Sequence, residues 1–125
     1  MKIIAIVQAR MKSTRFPNKA MKMINKMPLI ELLLNRLKNS KEVSQVIVAT
    51  SYDLENIPLI DHVRKLGFTC EQGSDKNVLE RFVNAAKKHH ADAVVRVTGD
   101  CPLIDANLVD ECVRLFKKKK SRLFF

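Results

Sequence analysis

A chain of 125 residues with 46% hydrophobic and 29% charged side chains is long enough for one domain with a real core, and no repeat or linker divides it. The only early apolar run, Ile3 to Val7, is too short for a signal h-region or a membrane span, so a cytoplasmic location away from the membrane is expected. Three cysteines, Cys70, Cys101 and Cys112, are odd in number and form no CxxC pair, which argues against a disulfide framework and a thiolate zinc site.

The net charge of +10 is unevenly spread. Residues 1–27 hold seven Lys or Arg and no acid, residues 117–125 hold five and no acid, and the middle is slightly acidic. A nucleic-acid surface spreads its cations over a face and interleaves aromatics, whereas this chain has six Phe, one Tyr and no Trp. The first cluster therefore calls for a compact anionic ligand, with a basic nucleic-acid-binding domain as the alternative.

In chain order, KIIAIVQA (2–9) is a continuous apolar run rich in β-branched residues, the pattern of a strand buried on both faces. PLIELLLNRLKNS (28–40) reads as a helix with Pro28 in its first turn, and SQVIVAT (44–50) as a second buried strand. IPLIDHVRKLG (57–67) is a shorter helix that Gly67 can stop, and FTCEQG (68–73) a third strand. NVLERFVNAAKKHH (77–90) places Val78, Leu79, Phe82, Val83 and Ala86 on one apolar stripe, with cations in its last turn. DAVVRVTGD (92–100) is the fourth strand, and Asp105 can cap a last helix carrying Leu108, Val109, Cys112, Val113 and Phe116. This alternation predicts an α/β fold of three layers, a mostly parallel sheet with helices on both faces.

In such sheets ligands sit outside the carboxyl ends of the strands. Four polar segments converge there: the loop ARMKSTRFPNK (9–19), then TSYD, QGSDKN and TGDCPLID. Arg10, Arg15 and Lys19 have no acid nearby in sequence, and Arg forks with a Lys point charge suit a triphosphate. Asp100, at the end of the fourth strand, is an oxygen ligand for the accompanying Mg2+. Neither GxxxxGK[ST] nor GxGxxG is present, and the chain has only three glycines, so side chains rather than a glycine cradle must hold the phosphates.

VQARMKSTRFPNK resembles the signature A-R-x-x-S-x-R-x-P-x-K of the acylneuraminate and KDO group of cytidylyltransferases. VIVATS, GSDKNVLERF and VVRVTGDCPLID extend the likeness over nearly all of residues 2–116, most closely to the spore coat polysaccharide biosynthesis protein F branch. The resemblance implies a Rossmann-like nucleotide-diphosphosugar transferase fold whose C-terminal part is missing here. It also implies transfer of CMP from CTP to a sugar or sugar acid with loss of pyrophosphate, and homodimeric full-length members. Carried over by position, Ala9, Arg10, Ser13, Arg15 and Lys19 match the nucleotide loop, with Arg10 and Lys19 joining Asp100 in catalysis. Gly73, Ser74 and Arg81 match the segment that closes over the nucleotide, and Asp100 the Mg2+ ligand. Asn18 stands where the family often has Gly, and Lys12 where it has a small residue.

Each residue also has a plain structural reading. Ser13 fits a turn, Gly73 and Ser74 fit turn formers, Asp105 fits a helix cap, and Lys12, Lys22 and Lys26 fit solvated lysines. His62, His89 and His90 fall on helices without metal or triad spacing, and Cys101 fits a small hydrophobe. Residues 1–116 are thus read as the nucleotide-binding part of a cytidylyltransferase domain and 117–125, KKKKSRLFF, as a basic tail. Four lysines imply an adenine-rich run where a slip would put SRLFF out of frame; the other reading is a cationic helix end and a cut-off strand. Either way a sheet edge and apolar surface are left uncovered. Two readings follow for the chain itself: a CTP-dependent nucleotidyltransferase, or a catalytically inactive nucleotide-binding fragment.

Overall fold

The computed structural model describes residues 1–11, 21–24, 26–74, 76–99 and 103–119. Its central sheet holds four parallel strands, β1 (Ile3–Gln8), β4 (Gln45–Ser51), β5 (Thr69–Gly73) and β6 (Ala93–Thr98), in the order β5-β4-β1-β6. A small antiparallel pair, β2 (Met23–Ile24) with β3 (Met27–Pro28), precedes helix α1 (Leu29–Leu37). Helices α2 (Ile57–Lys65), α3 (Val78–Lys88) and α4 (Ala106–Lys119) complete the alternation.

The period of two along a strand divides the core into two layers. Ile3, Ala5 and Val7 point with Val48, Val95 and Val97 toward α1, α2 and α4, where Leu33, Leu34, Leu59, Val63, Val109 and Val113 meet them. Ile4 and Ile6 point with Ile47 and Ala49 to the other face, against Phe82 and Ala85 of α3. The continuous apolar runs of β1 and β4 thus exist because both faces are covered, as the sequence predicts.

Several local expectations hold. Gly67 ends α2 with φ +89°, a left-handed value that only glycine adopts without strain. The Asp105 carboxylate accepts the Asn107 N–H at 2.8 Å at the start of α4, and α3 is capped by Asn77, which accepts the Glu80 N–H at 3.0 Å. Others do not hold. Pro28 lies just before α1, in β3, because the hairpin with Lys26 at φ 67° absorbs the chain there. The α3 stripe is only partly buried: Phe82 is inside and Val78 and Ala86 pack against the core, but Leu79 is 73% and Val83 39% exposed, while Arg81 and Ala85, outside the predicted stripe, are buried. Leu108 of α4 is likewise exposed.

The histidines do more than pack. His62 of α2 meets Glu31 of α1 at 2.9 Å, and His89 meets Glu71 of β5 at 3.0 Å beside Lys88. Burial pushes the Glu71 carboxyl up, but hydrogen bonds from Lys88 and His89 outweigh it and hold it below its ordinary value.

Candidate functional site

Strand order fixes where the crevice lies. The chain moves outward from β1 to β4 and β5, then returns through α3, on the opposite face, to place β6 on the other side of β1. The reversal falls between β1 and β6, so the switch-point rule puts a ligand outside their carboxyl ends.

Those two ends are in direct contact. The Gly99 N–H donates to the Gln8 carbonyl at 2.7 Å, carrying the pairing one residue past β6. A Cβ at Gly99 would lie 2.6 Å from that same oxygen and 3.0 Å from Ala9 Cβ, so only glycine lets the strands approach this closely. The root of the basic loop and the residue preceding Asp100 are therefore neighbours.

The loop root itself is built as an extension of β1. Ala9 donates its N–H to the Ala49 carbonyl at 3.1 Å and is buried, Met11 is buried in the core, and Arg10 between them is exposed at the rim. Asn56, wholly buried, fixes this conformation: its Oδ1 accepts the Met11 N–H at 2.8 Å, and its Nδ2 donates to Ser51 Oγ at 2.8 Å. One side chain thus ties the loop root to the end of β4. Sequence reading passed over Asn56, since an asparagine before a helical pattern looks like an ordinary cap, and its partner at Met11 is 45 residues away. Replacing Asn56 by leucine is expected to cost about 2 kcal/mol, because it strands a buried N–H. Native-state hydrogen exchange should show Met11 losing protection while mid-strand β1 amides keep theirs.

Of the other sequence candidates, Gly73, Ser74 and Arg81 come together. Arg81 is buried and packs on Gly73, whose added Cβ would sit 2.7 Å from Arg81 Cγ, and its Nη1 donates to the Ser74 carbonyl at 3.4 Å. Ser74 Oγ accepts the Asn77 N–H at 3.1 Å, bracing the entry to α3. At the same rim Thr50 Oγ1 is buried without a hydrogen-bond partner among the described residues. Ser13, Arg15, Lys19, Asp100 and Cys101 lie outside the described residues. Cys70 is buried, and that burial pushes its thiol up to about 11, against the opposing pull of Arg64, which disfavours the nucleophilic thiolate.

The family model described as cytidylyltransferase matches residues 4–123. The chain belongs to the cytidylyltransferase family. It is 34% identical over 117 residues to the spore coat polysaccharide biosynthesis protein SpsF of Bacillus subtilis, covering 90% of this chain and 48% of that one. It is 37% identical over 125 residues to the 3-deoxy-manno-octulosonate cytidylyltransferase of Geotalea daltonii, covering 98% of this chain and 48% of that one. The solved structure of a cytidylyltransferase from Leptospira borgpetersenii superposes with a TM-score of 0.92 at 36% identity, over 97% of this chain and 51% of that chain. The fold is therefore the Rossmann-like one that the resemblance implied. The chain spans about half the length of the curated relatives it matches.

Among the described residues no helix is long and apolar enough to cross a membrane, and no three acidic, His or Cys side chains are grouped to hold a metal.

Proposed function

We propose that this chain is the nucleotide-binding half of a cytidylyltransferase that moves CMP from CTP to a sugar or sugar acid in surface polysaccharide biosynthesis, in the cytoplasm, with release of pyrophosphate. The observation that carries the reading is the contact of Gly99 with Gln8 and Ala9 at the strand-order reversal, which brings the root of the basic loop to the residue before Asp100. Names of relatives, one a 3-deoxy-manno-octulosonate cytidylyltransferase, favour CTP and a sugar acid. In this reading residues 1–116 form the nucleotide part and residues 117–125 the tail, and the full-length assembly is a homodimer.

Within the site, Arg10, Arg15 and Lys19 offset the negative charge that builds on departing pyrophosphate, Ser13 and Ala9 shape the loop, and Gly73, Ser74 and Arg81 brace its far wall. Asp100 is the carboxylate offered for Mg2+, a cation commonly held by one or two carboxylates plus substrate phosphates rather than by an all-protein cage. When bound, Mg2+ supplies positive charge against the phosphate oxygens.

The alternative reading is nucleotide binding without turnover. Calorimetric titration separates the possibilities. Saturable CTP binding with Mg2+, weakened about tenfold or more by Arg15→Ala, is the expected result. Tighter binding of duplex DNA than of CTP would favour the basic-domain alternative. Pyrophosphate release on adding a sugar acid distinguishes turnover from binding alone.

A further inference from the structure

We infer, resting on the nucleotide reading above, that the Gln8 side chain donates a hydrogen bond to a carbonyl of the bound nucleobase, and that Arg96 is the positioning residue that keeps this donor turned to the crevice. Gln8 ends β1, and its own carbonyl oxygen accepts the Gly99 N–H at the strand-order reversal. By the period of two along β1, its side chain lies with Ile4 and Ile6 on the α3 face, one step beyond the core. It is half-buried there, between Ala49 of β4 and Thr98 of β6, the residues paired with it across the sheet.

The orientation of the amide follows from what its neighbour can do. Arg96 donates from Nη2 to Gln8 Oε1 at 3.1 Å, and its guanidinium lies over the Phe82 ring, 5.1 Å from the centroid. A guanidinium has five N–H donors and no acceptor, so only the oxygen of the amide can face it. Phe82 is buried and steadies the cation from the other side. Arg96 pairs with Ile6, two residues back from Gln8, so the amide oxygen turns along the strand toward the core and the NH2 group is left on the rim side. Among the described residues Nε2 has no hydrogen-bond partner.

A free glutamine can present either end of its amide, whereas this one presents only a donor. A donor that cannot flip selects an atom that can only accept, which a ribose hydroxyl is not and a pyrimidine carbonyl is. Its neutrality points the same way. The charges of a triphosphate have their partners further out, with Arg10 exposed at the loop root, while Gln8 sits inside the strand end. The half-buried position therefore suits the uncharged part of the nucleotide.

Calorimetric titration with two probes, CTP and inorganic tripolyphosphate, each with Mg2+, tests this. Gln8→Met keeps the apolar stem and removes the donor; it should weaken CTP about fivefold or more and leave tripolyphosphate unchanged. Gln8→Glu keeps an acceptor for Arg96, so the fold stays braced, but puts oxygen in place of the NH2 group. Its loss for CTP should exceed its loss for tripolyphosphate, which reads charge repulsion alone, by about fivefold. The Gln8→Met loss should persist with 2′-deoxy-CTP. Arg96→Met should weaken CTP about threefold with tripolyphosphate unchanged, and Arg96→Lys, which retains a donor for Oε1, should recover part of the loss. The Gln8 side-chain NH2 resonances should shift on adding CTP and not on adding tripolyphosphate. Unchanged CTP affinity in Gln8→Met, equal losses for both probes, or a loss that vanishes with 2′-deoxy-CTP would overturn the inference while wild-type CTP binding upholds the nucleotide reading. Normal CTP affinity in Arg96→Met would overturn the positioning role. Failure of the wild type to bind CTP would remove the nucleotide reading and this inference with it.

Discussion

Gly99→Ala is expected to lower folding stability by about 3 kcal/mol, a large share of what a domain of this size has in reserve. The added methyl would sit 2.6 Å from the Gln8 carbonyl oxygen. That atom is backbone in the middle of the sheet and cannot swing aside, so β1 and β6 must part at their carboxyl ends. The hydrogen bond from Gly99 to Gln8 would be lost with them. Urea unfolding reads the change as a lower midpoint at unchanged slope. Adding Ala9→Gly should restore little, since the tighter contact is with Gln8; full recovery would place the strain at Ala9 instead.

Asp110→Ala is expected to cost about 3 kcal/mol by a different route. Asp110 of α4 is 3% exposed, and its carboxylate accepts the Lys41 N–H at 2.9 Å, the Glu42 N–H at 3.0 Å and the Ser40 hydroxyl. It thereby pins the last helix to the turn between α1 and β4. Burial pushes the carboxyl up, but hydrogen bonds from Lys41, Ser40 and Glu42, with the Arg114 charge, outweigh it and hold Asp110 below its ordinary value of 3.8. A carboxylate depressed on folding stabilises the native state above its unfolded value and loses that contribution as pH falls through the folded one. The stability gap between wild type and Asp110→Asn should therefore be full at neutral pH and close in acid below about pH 4. A gap independent of pH would mean that the geometry of the turn, not the charge, carries the effect.

How much of this the sequence discloses depends on the range of each interaction. β1 and β4 are legible because strands buried on both faces read as unbroken apolar runs, and Gly67 because a helix stop is a local event. The α3 stripe misleads for the opposite reason: periodicity marks Leu79 and Val83 as suited to burial, but not which neighbour the tertiary fold sets against them. The hairpin of β2 and β3 is two residues a side and leaves no periodic trace. At the site, the loop cations and the aspartate after β6 stand out by charge and position. Asn56 does not, since its meaning lies in Met11 and Ser51, and Gly99 looks like any turn glycine until Gln8 is set against it.

The same contrast separates the two surfaces of the molecule. The carboxyl rim is polar, anchored by Asn56 and closed at its base by Gly99, whereas the β6 groove, lined by Val78, Leu79, Phe82, Val94 and Phe116 among others, is mainly apolar.

Amide chemical-shift mapping during a titration with CTP and Mg2+ tests the central claim most directly. The account predicts saturable shifts at Ala9, Arg10, Met11, Gly73, Ser74 and Gly99, with Asp92 to Arg96 and Leu79 little changed. Shifts centred on the β6 groove, or no saturable shift at the carboxyl rim, would contradict it.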